Sequence, residues 1–243
     1  VTAWYLGPLC GFDLETTGVD PQTDRIVTAC VVACGTGVDT APRSWLADPG
    51  IEIPDEAASV HGITTEQARA EGRPAADVVA EIVDELAAAV AMGVPIVAMN
   101  ASYDLTMLER EAERHGVTGL FARTEPLVVD PRVLDKQVDP YRRGGRTLTD
   151  LCRTYRVPLD NAHDAGADAI AACRVAWRIG QQRQQIGEAS LAELHAWQVG
   201  WARDQAQSLA DYFRRTPGKE SWADGVRTEW PMIPAQRGGG DAS

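Results

Sequence analysis

The stretch Leu9-Cys10-Gly11-Phe12-Asp13-Leu14-Glu15-Thr16-Thr17-Gly18 runs from apolar residues into turn formers. That order predicts a buried strand ending in a loop. Asp13 and Glu15 are separated by one residue, so on a strand both project from the same face. Two carboxylates held that close repel each other and are costly to bury without a cation or proton. Oxygen-only ligands select a hard divalent ion, magnesium or manganese. For this pair alone, the alternative is a strand end whose acids simply reach solvent.

Outward from this stretch, residues 26–32 are rich in β-branched side chains, and residues 44–46 precede the Asp48-Pro49-Gly50 turn. With residues 9–14 they predict three antiparallel strands joined by short connections. Residues 53–64 predict a short helix followed by a polar loop. Val78, Val79, Ile82, Val83, Leu86 and Val90 recur at helical spacing, and Gly93 supplies a stop. A strand at 95–99 then leads to Asn100, a good N-cap for a helix reaching His115 and Gly116. A fifth strand at 127–130, a short helix at 147–155, and residues 161–169 leading into a helix with Ile170, Ala171, Val175 and Ile179 complete the pattern. The expectation is an α/β fold with a mixed five-stranded sheet, its first three strands antiparallel and its last two parallel.

The chain has 243 residues, enough for one ordinary domain plus an extension. No apolar run approaches the ~20 residues that a membrane span requires. The start, Val1-Thr2-Ala3-Trp4, lacks the basic-then-apolar order of a signal peptide. Five cysteines without a Cys-x-x-Cys pair argue against a disulfide framework or a zinc site, and the cytoplasm is the expected compartment. A net charge of −12 argues against coating nucleic acid through a broad basic surface. It leaves room for an enzyme that grips a strand end locally and borrows positive charge from metal ions. Arg142, Arg143 and Arg146 form the dense basic cluster, either a solvated loop or a contact to substrate phosphates.

His163 and Asp168 are five residues apart, which on one continuous helix would point them about 140° apart. Placing His163 in the preceding loop and Asp168 on the helix lets both reach one point. Each acid has a plainer role when taken alone. Asp104 suits the dipole of its helix, and His163 suits a loop.

Taken together, Phe12-Asp13-Leu14-Glu15-Thr16-Thr17-Gly18, Asn100-Ala101-Ser102-Tyr103-Asp104 and His163-Asp164-Ala165-Gly166-Ala167-Asp168 resemble the three exonuclease motifs of the DEDD superfamily. The histidine five residues before the last aspartate is similar to its DEDDh branch, typified by the proofreading epsilon subunit of bacterial DNA polymerase III. Residues 58–64 also resemble a loop of that branch, and the resemblance covers roughly residues 8–180. Tyr103 departs from the more usual Phe, and Asp164 and Gly166 from more usual basic or bulkier residues.

The resemblance implies a ribonuclease H-like fold and stepwise 3′–5′ hydrolysis of DNA or RNA to nucleoside monophosphates. It implies that Asp13, Glu15, Asp104 and Asp168 bind two magnesium or manganese ions. Asp13 would bridge both ions, Glu15 and Asp168 would complete the one that binds water, and Asp104 would serve the other through waters. His163 would accept the proton from the attacking water, an imidazole's ordinary pKa near 6.5 suiting a general base. Thr16, Val60 and His61 would contact the terminal nucleotide, and Asn100 would contact substrate or only cap its helix. A single-stranded or frayed 3′ end is the implied partner. The other reading is a non-catalytic adaptor for a polymerase or a strand end, or an RNA-trimming enzyme of the same branch.

Past residue 187 the resemblance fades, so residues 1–187 are expected to form the exonuclease domain. Ser190-Leu191-Ala192-Glu193 is a capping box, and Leu191, Leu194, Trp201, Leu209 and Tyr212 mark one apolar face of a helix over 188–216. That face is expected to fold back on the domain, pair with a second copy as a homodimer, or dock a polymerase partner. Residues 217–243 form a tail, and Gly238 to Ser243 are expected to be disordered.

Overall fold

The computed structural model describes residues 3–159 and 163–235. Strand β1 (Leu9–Thr16) pairs antiparallel with β2 (Ile26–Cys34), which pairs antiparallel with β3 (Pro42–Asp48). A two-residue strand, β4 (Arg73–Pro74), runs parallel to β3 at the edge. On the other side of β1 lie β5 (Ile96–Val97) and β6 (Val128–Val129), both parallel to it. The sheet thus has six strands in the order β4-β3-β2-β1-β5-β6. The five expected strands run in the expected directions, and β4 is an addition. Two residues carry no periodicity, and Pro74 has no N–H for a ladder, so the sequence pattern is silent there.

Helices cover both faces. Between β3 and β5 come α1 (Asp55–His61), α2 (Thr65–Glu71) and α3 (Ala75–Ala91). Helix α4 (Ala101–His115) and the short α5 (Leu120–Arg123) precede β6. After β6 follow α6 (Pro131–Val138), α7 (Leu148–Tyr155), α8 (Ala165–Gln182), α9 (Gln184–Glu188) and α10 (Leu191–Arg215). Helix α2 follows the expected loop as an additional element, its first turn capped by the Thr64 hydroxyl and Ala68 buried beneath it.

The two faces of β1 have different neighbours. Cys10, Phe12 and Leu14 enter a core shared with α3 and α4. Val78, Val79, Ile82, Val83 and Leu86 of α3 are fully buried there, each contributing about 1.5–3 kcal/mol by leaving water. Leu9 packs on the opposite face, against α8. The period-2 alternation puts Gly11, Asp13 and Glu15 on that second face as well. A Cβ at Gly11 would lie 2.8 Å from the Ala169 carbonyl oxygen and 2.9 Å from Cys173 Sγ. Glycine therefore lets α8 settle directly on β1, and Asp168 is the neighbour of Ala169.

The C-terminal helix closes the open edge at β6. A reciprocal capping box between Ser190 and Glu193 starts α10. Gln198, fully buried, donates from Nε2 to the Val128 carbonyl (3.0 Å) and accepts the Asp130 N–H (2.8 Å). His195 Nδ1 accepts the Val128 N–H at 3.0 Å. These side chains satisfy edge groups that would otherwise invite another strand. Only the first half of the anticipated apolar face is buried this way. Leu194 is fully buried, whereas Leu209 and Tyr212 are 37% and 56% exposed because the helix runs on past the sheet. The expected disordered end, Gly238 to Ser243, lies outside the described residues. Among the described residues, no helix is long and apolar enough to cross a membrane.

Candidate active site

Strand β1 delivers Asp13 and Glu15 to its C-terminal end, on the face covered by α8. Helix α8 begins where Asp164 caps it, accepting the Ala167 N–H at 2.9 Å. His163, one residue earlier, takes a left-handed φ of 68° and donates its backbone N–H to Asp168 Oδ2 at 3.2 Å. This is the loop-then-helix placement expected from their spacing. Carboxylate oxygens of Glu15 and Asp168 and a ring nitrogen of His163 lie within 4.8 Å of one another.

Asp104 arrives from α4, which packs on the other side of the sheet. Its Oδ1 accepts the N–H of Leu14, the residue between Asp13 and Glu15, at 3.1 Å. Helix α4 is held at its start by Asp130, whose local sequence pattern is that of a strand end. Asp130 accepts the N–H groups of Asn100 (3.1 Å) and Ala101 (3.0 Å), and also that of Arg132 (2.9 Å). Asn100 occupies the N-cap position, but its side chain does not cap the helix. Its left-handed φ of 64° leaves capping to Asp130, and Asn100 Oδ1 instead accepts from Arg132 at 2.7 Å. An Asp followed by Pro is a helix-start signature that marks α6. The second task of Asp130, capping α4, depends on tertiary structure and leaves no local signal.

The electrostatics are those of an uncompensated acidic cluster. Burial pushes Asp13 well above the usual carboxylate range, and Asp104, Asp168, Glu15 and Asp164 push it further. Burial, with Asp168 and Asp164, moves Glu15 up to about 7. Asp104 is raised by burial against the pull of the Leu14 N–H. Asp168 is raised by burial, with the His163 N–H and imidazole opposing. Asp168 Oδ1 is buried with no hydrogen-bond partner. A cation would relieve all of these at once, and the donors are carboxylate oxygens suited to magnesium or manganese. The residues fit a divalent-metal site.

The other singled-out residues divide. The Thr16 hydroxyl donates to the Gly18 carbonyl at 2.7 Å and lies 2.6 Å from the Tyr103 hydroxyl, which itself donates to Gly18 at 2.5 Å. The tyrosine thus braces the turn after β1, a task phenylalanine could not perform. His61 ends α1 and lines a cleft of about 400 Å³ together with His163. Its Nδ1 accepts the Ile63 N–H at 3.2 Å, and its buried Nε2 has no partner. Val60 is 50% exposed on α1 and does not line that cleft. Two of the three clustered arginines are structural: Arg142 (2.8 Å) and Arg146 pair with the fully buried Asp135, which also accepts from the Tyr155 hydroxyl (2.9 Å). Burying Asp135 requires such partners. Arg143 alone of the three is exposed.

The chain matches the RNase T exonuclease family over residues 10–176. It is 28% identical over 177 residues to the PolC-type DNA polymerase III of Listeria monocytogenes, covering 73% of this chain and 12% of that protein. The corresponding protein of Lacticaseibacillus paracasei is 26% identical over 160 residues, covering 66% and 10%. The chain therefore spans about a tenth of the length of these curated relatives. In fold it is similar to E. coli exonuclease I in complex with a dT13 oligonucleotide, with a TM-score of 0.61 and 20% identity. That match covers 74% of this chain and 42% of the other, and it accords with a ribonuclease H-like architecture. With three motifs joined at one strand end and the family matched across most of its length, the chain belongs to the RNase T exonuclease family.

Proposed function

We propose that the protein removes nucleotides from a single-stranded or frayed 3′ end, using two divalent ions held by Asp13, Glu15, Asp104 and Asp168. The observation that carries this reading is the crowding of Asp104, Asp168 and Glu15 on the buried Asp13, all four raised in pKa, together with the grouping of Glu15, His163 and the partly unpartnered Asp168 within 4.8 Å. When bound, such ions supply Lewis-acid charge for the attacking and leaving oxygens. Asp13 and Glu15 hold their side by strand geometry, Asp168 by the first turn of α8, and Asp104 by the first turn of α4. His163 accepts the proton of the attacking water on its unprotonated ring nitrogen, held close to the acids by its own backbone bond to Asp168. Thr16 and His61 frame the terminal nucleotide, Val60 meets it from the exposed side of α1, and Asn100 faces the strand beside α4.

Catalysis is assigned to residues 1–187, and residues 188–235 act as their support. Five unpaired, buried cysteines suit a reducing cytoplasm. The polymerase relatives suggest a polymerase partner, with the exposed second half of α10 as the available contact. The test is hydrolysis of end-labelled single-stranded DNA, duplex DNA and RNA with magnesium, with and without EDTA. Loss of mononucleotide release on chelation and its return with manganese are expected. Release that persists in EDTA would refute the metal site.

A further inference from the structure

Beside the start of α4 a groove of about 590 Å³ opens between α6 and the C-terminal extension. One wall is α6 with Arg132 and Lys136, and the other is built from α10, the 3₁₀ turn Glu220–Gly225 and the segment leading to Trp230. Arg132, Lys136 and Arg227 line it, and among the described residues none of the three forms an ion pair. In a chain of net charge −12, three unpaired cations in one groove are a local reversal of sign. Lys136 is held below the ordinary lysine range by burial and by the charges of Arg132 and Arg146. The exposed acid among the lining residues is Glu229.

Trp222 also lines the groove and is 55% exposed. Lys219 Nζ sits 4.9 Å from its ring centre, and Phe213 meets it edge-on at 5.5 Å and 81°. Its indole is therefore oriented while most of its surface stays open. Cations beside an oriented, exposed aromatic ring match the chemistry of single-stranded nucleic acid, with phosphates on the former and a base on the latter. Asn100 and Ser102 form the near end of the groove. Asn100 precedes Asp104 by one helical turn, about 6 Å of axial rise.

We propose that this groove holds the body of a single-stranded nucleic acid whose 3′ end lies at the catalytic carboxylates, with phosphates against Arg132, Lys136 and Arg227 and a base on Trp222. The inference rests on the exonuclease reading above. It gives the C-terminal extension a role in retaining long substrates.

The test compares oligothymidylates of 4 and 15 nucleotides. Affinity is read by fluorescence anisotropy in calcium, and hydrolysis by gel in magnesium. For Trp222→Ala the 15-nucleotide probe should bind about tenfold more weakly, a larger loss than the 4-nucleotide probe shows. Lys136→Ala with Arg227→Ala should flatten the salt dependence for the long probe by about 1.4 in logarithmic slope, at about 0.7 per single-strand phosphate contact. Trp222→Phe keeps an aromatic surface against Phe213 and should restore most of the affinity, separating stacking from folding. Unchanged binding of the long probe in both the tryptophan and the double variant would overturn the groove assignment. Absence of hydrolysis of either probe by the wild-type protein would instead overturn the exonuclease reading.

Discussion

The indole Nε1 of Trp230 lies 3.3 Å from Oδ2 of Asp130, the carboxylate that caps the helix carrying Asp104. Trp230 is 100 residues distant in sequence from Asp130 and lies beyond the family-matched region. It is 8% exposed, belongs to the same core as Phe12, and has its ring 5.2 Å from that of His195. The extension therefore buttresses the first turn of α4 from behind.

Trp230→Ala removes both packing and a hydrogen bond to a buried carboxylate. A buried aromatic cut to alanine costs about 3–5 kcal/mol, so thermal unfolding should show a large loss. Trp230→Phe keeps most of the packing and isolates the hydrogen bond, for which about 1.5–3 kcal/mol is expected because the acceptor is charged. Activity of the phenylalanine variant should need more magnesium for half-maximal rate, since Asp104 is less firmly placed. An unchanged magnesium requirement would show that the indole supports folding alone.

The acidic cluster predicts an opposite response to pH with and without metal. Folding without metal raises Asp13, Glu15, Asp104 and Asp168, with Glu15 near about 7, whereas unfolded carboxyls titrate near ~4. The native state thus holds more protons than the unfolded chain across that window, and stability falls as pH rises. In EDTA, Tm should decline between about pH 4.5 and about pH 7, and the slope should flatten in Asp13→Asn. Manganese should raise Tm most at the upper end of the window, where the acids are ionised. Asp13→Asn should also lower hydrolysis by orders of magnitude while raising metal-free stability. A metal-free Tm that climbs with pH would contradict the clustering.

His163 lies close enough to Glu15 and Asp168 to ligate an ion, yet its proposed work is proton transfer. The two roles separate by calorimetry. His163→Gln should reduce the rate by about 10²–10⁴, the range of general-base contributions, while manganese affinity stays within a factor of two or so. A collapse of metal affinity in this variant would make the histidine a ligand instead.

The legible parts of this molecule were those encoded locally. Period-2 alternation placed Asp13 and Glu15 on one face, and helical spacing placed the buried stripe of α3. The five-residue spacing of His163 and Asp168 put the first in a loop and the second in a helix. What escaped was set by tertiary partners. Strand β4 exists because Arg73 and Pro74 lie alongside Ala47 and Asp48. Asn100 looked like a cap until Asp130, thirty residues on, supplied that function. The pattern of Arg142 and Arg146 fits either a solvated loop or a phosphate contact, but their partner is Asp135, buried out of sight of any charge pattern.

Gly11 gives the sharpest test of how α8 is seated. A methyl group there meets the backbone oxygen of Ala169 and the sulfur of Cys173, both under 3 Å, and backbone cannot swing aside as a flexible side chain can. Gly11→Ala should cost about 1–3 kcal/mol through overpacking. Because the displaced element carries Asp168, the loss of activity at saturating magnesium should exceed the loss of folded protein at the same temperature. Gly200→Ala provides the contrast: it lies inside α10 with open space around the added carbon. Alanine there should raise stability by about 0.5–1 kcal/mol, the usual helix-interior difference, and leave hydrolysis unchanged. If Gly11→Ala kept full activity at wild-type stability, close contact between α8 and β1 could not be what brings Asp168 to Asp13.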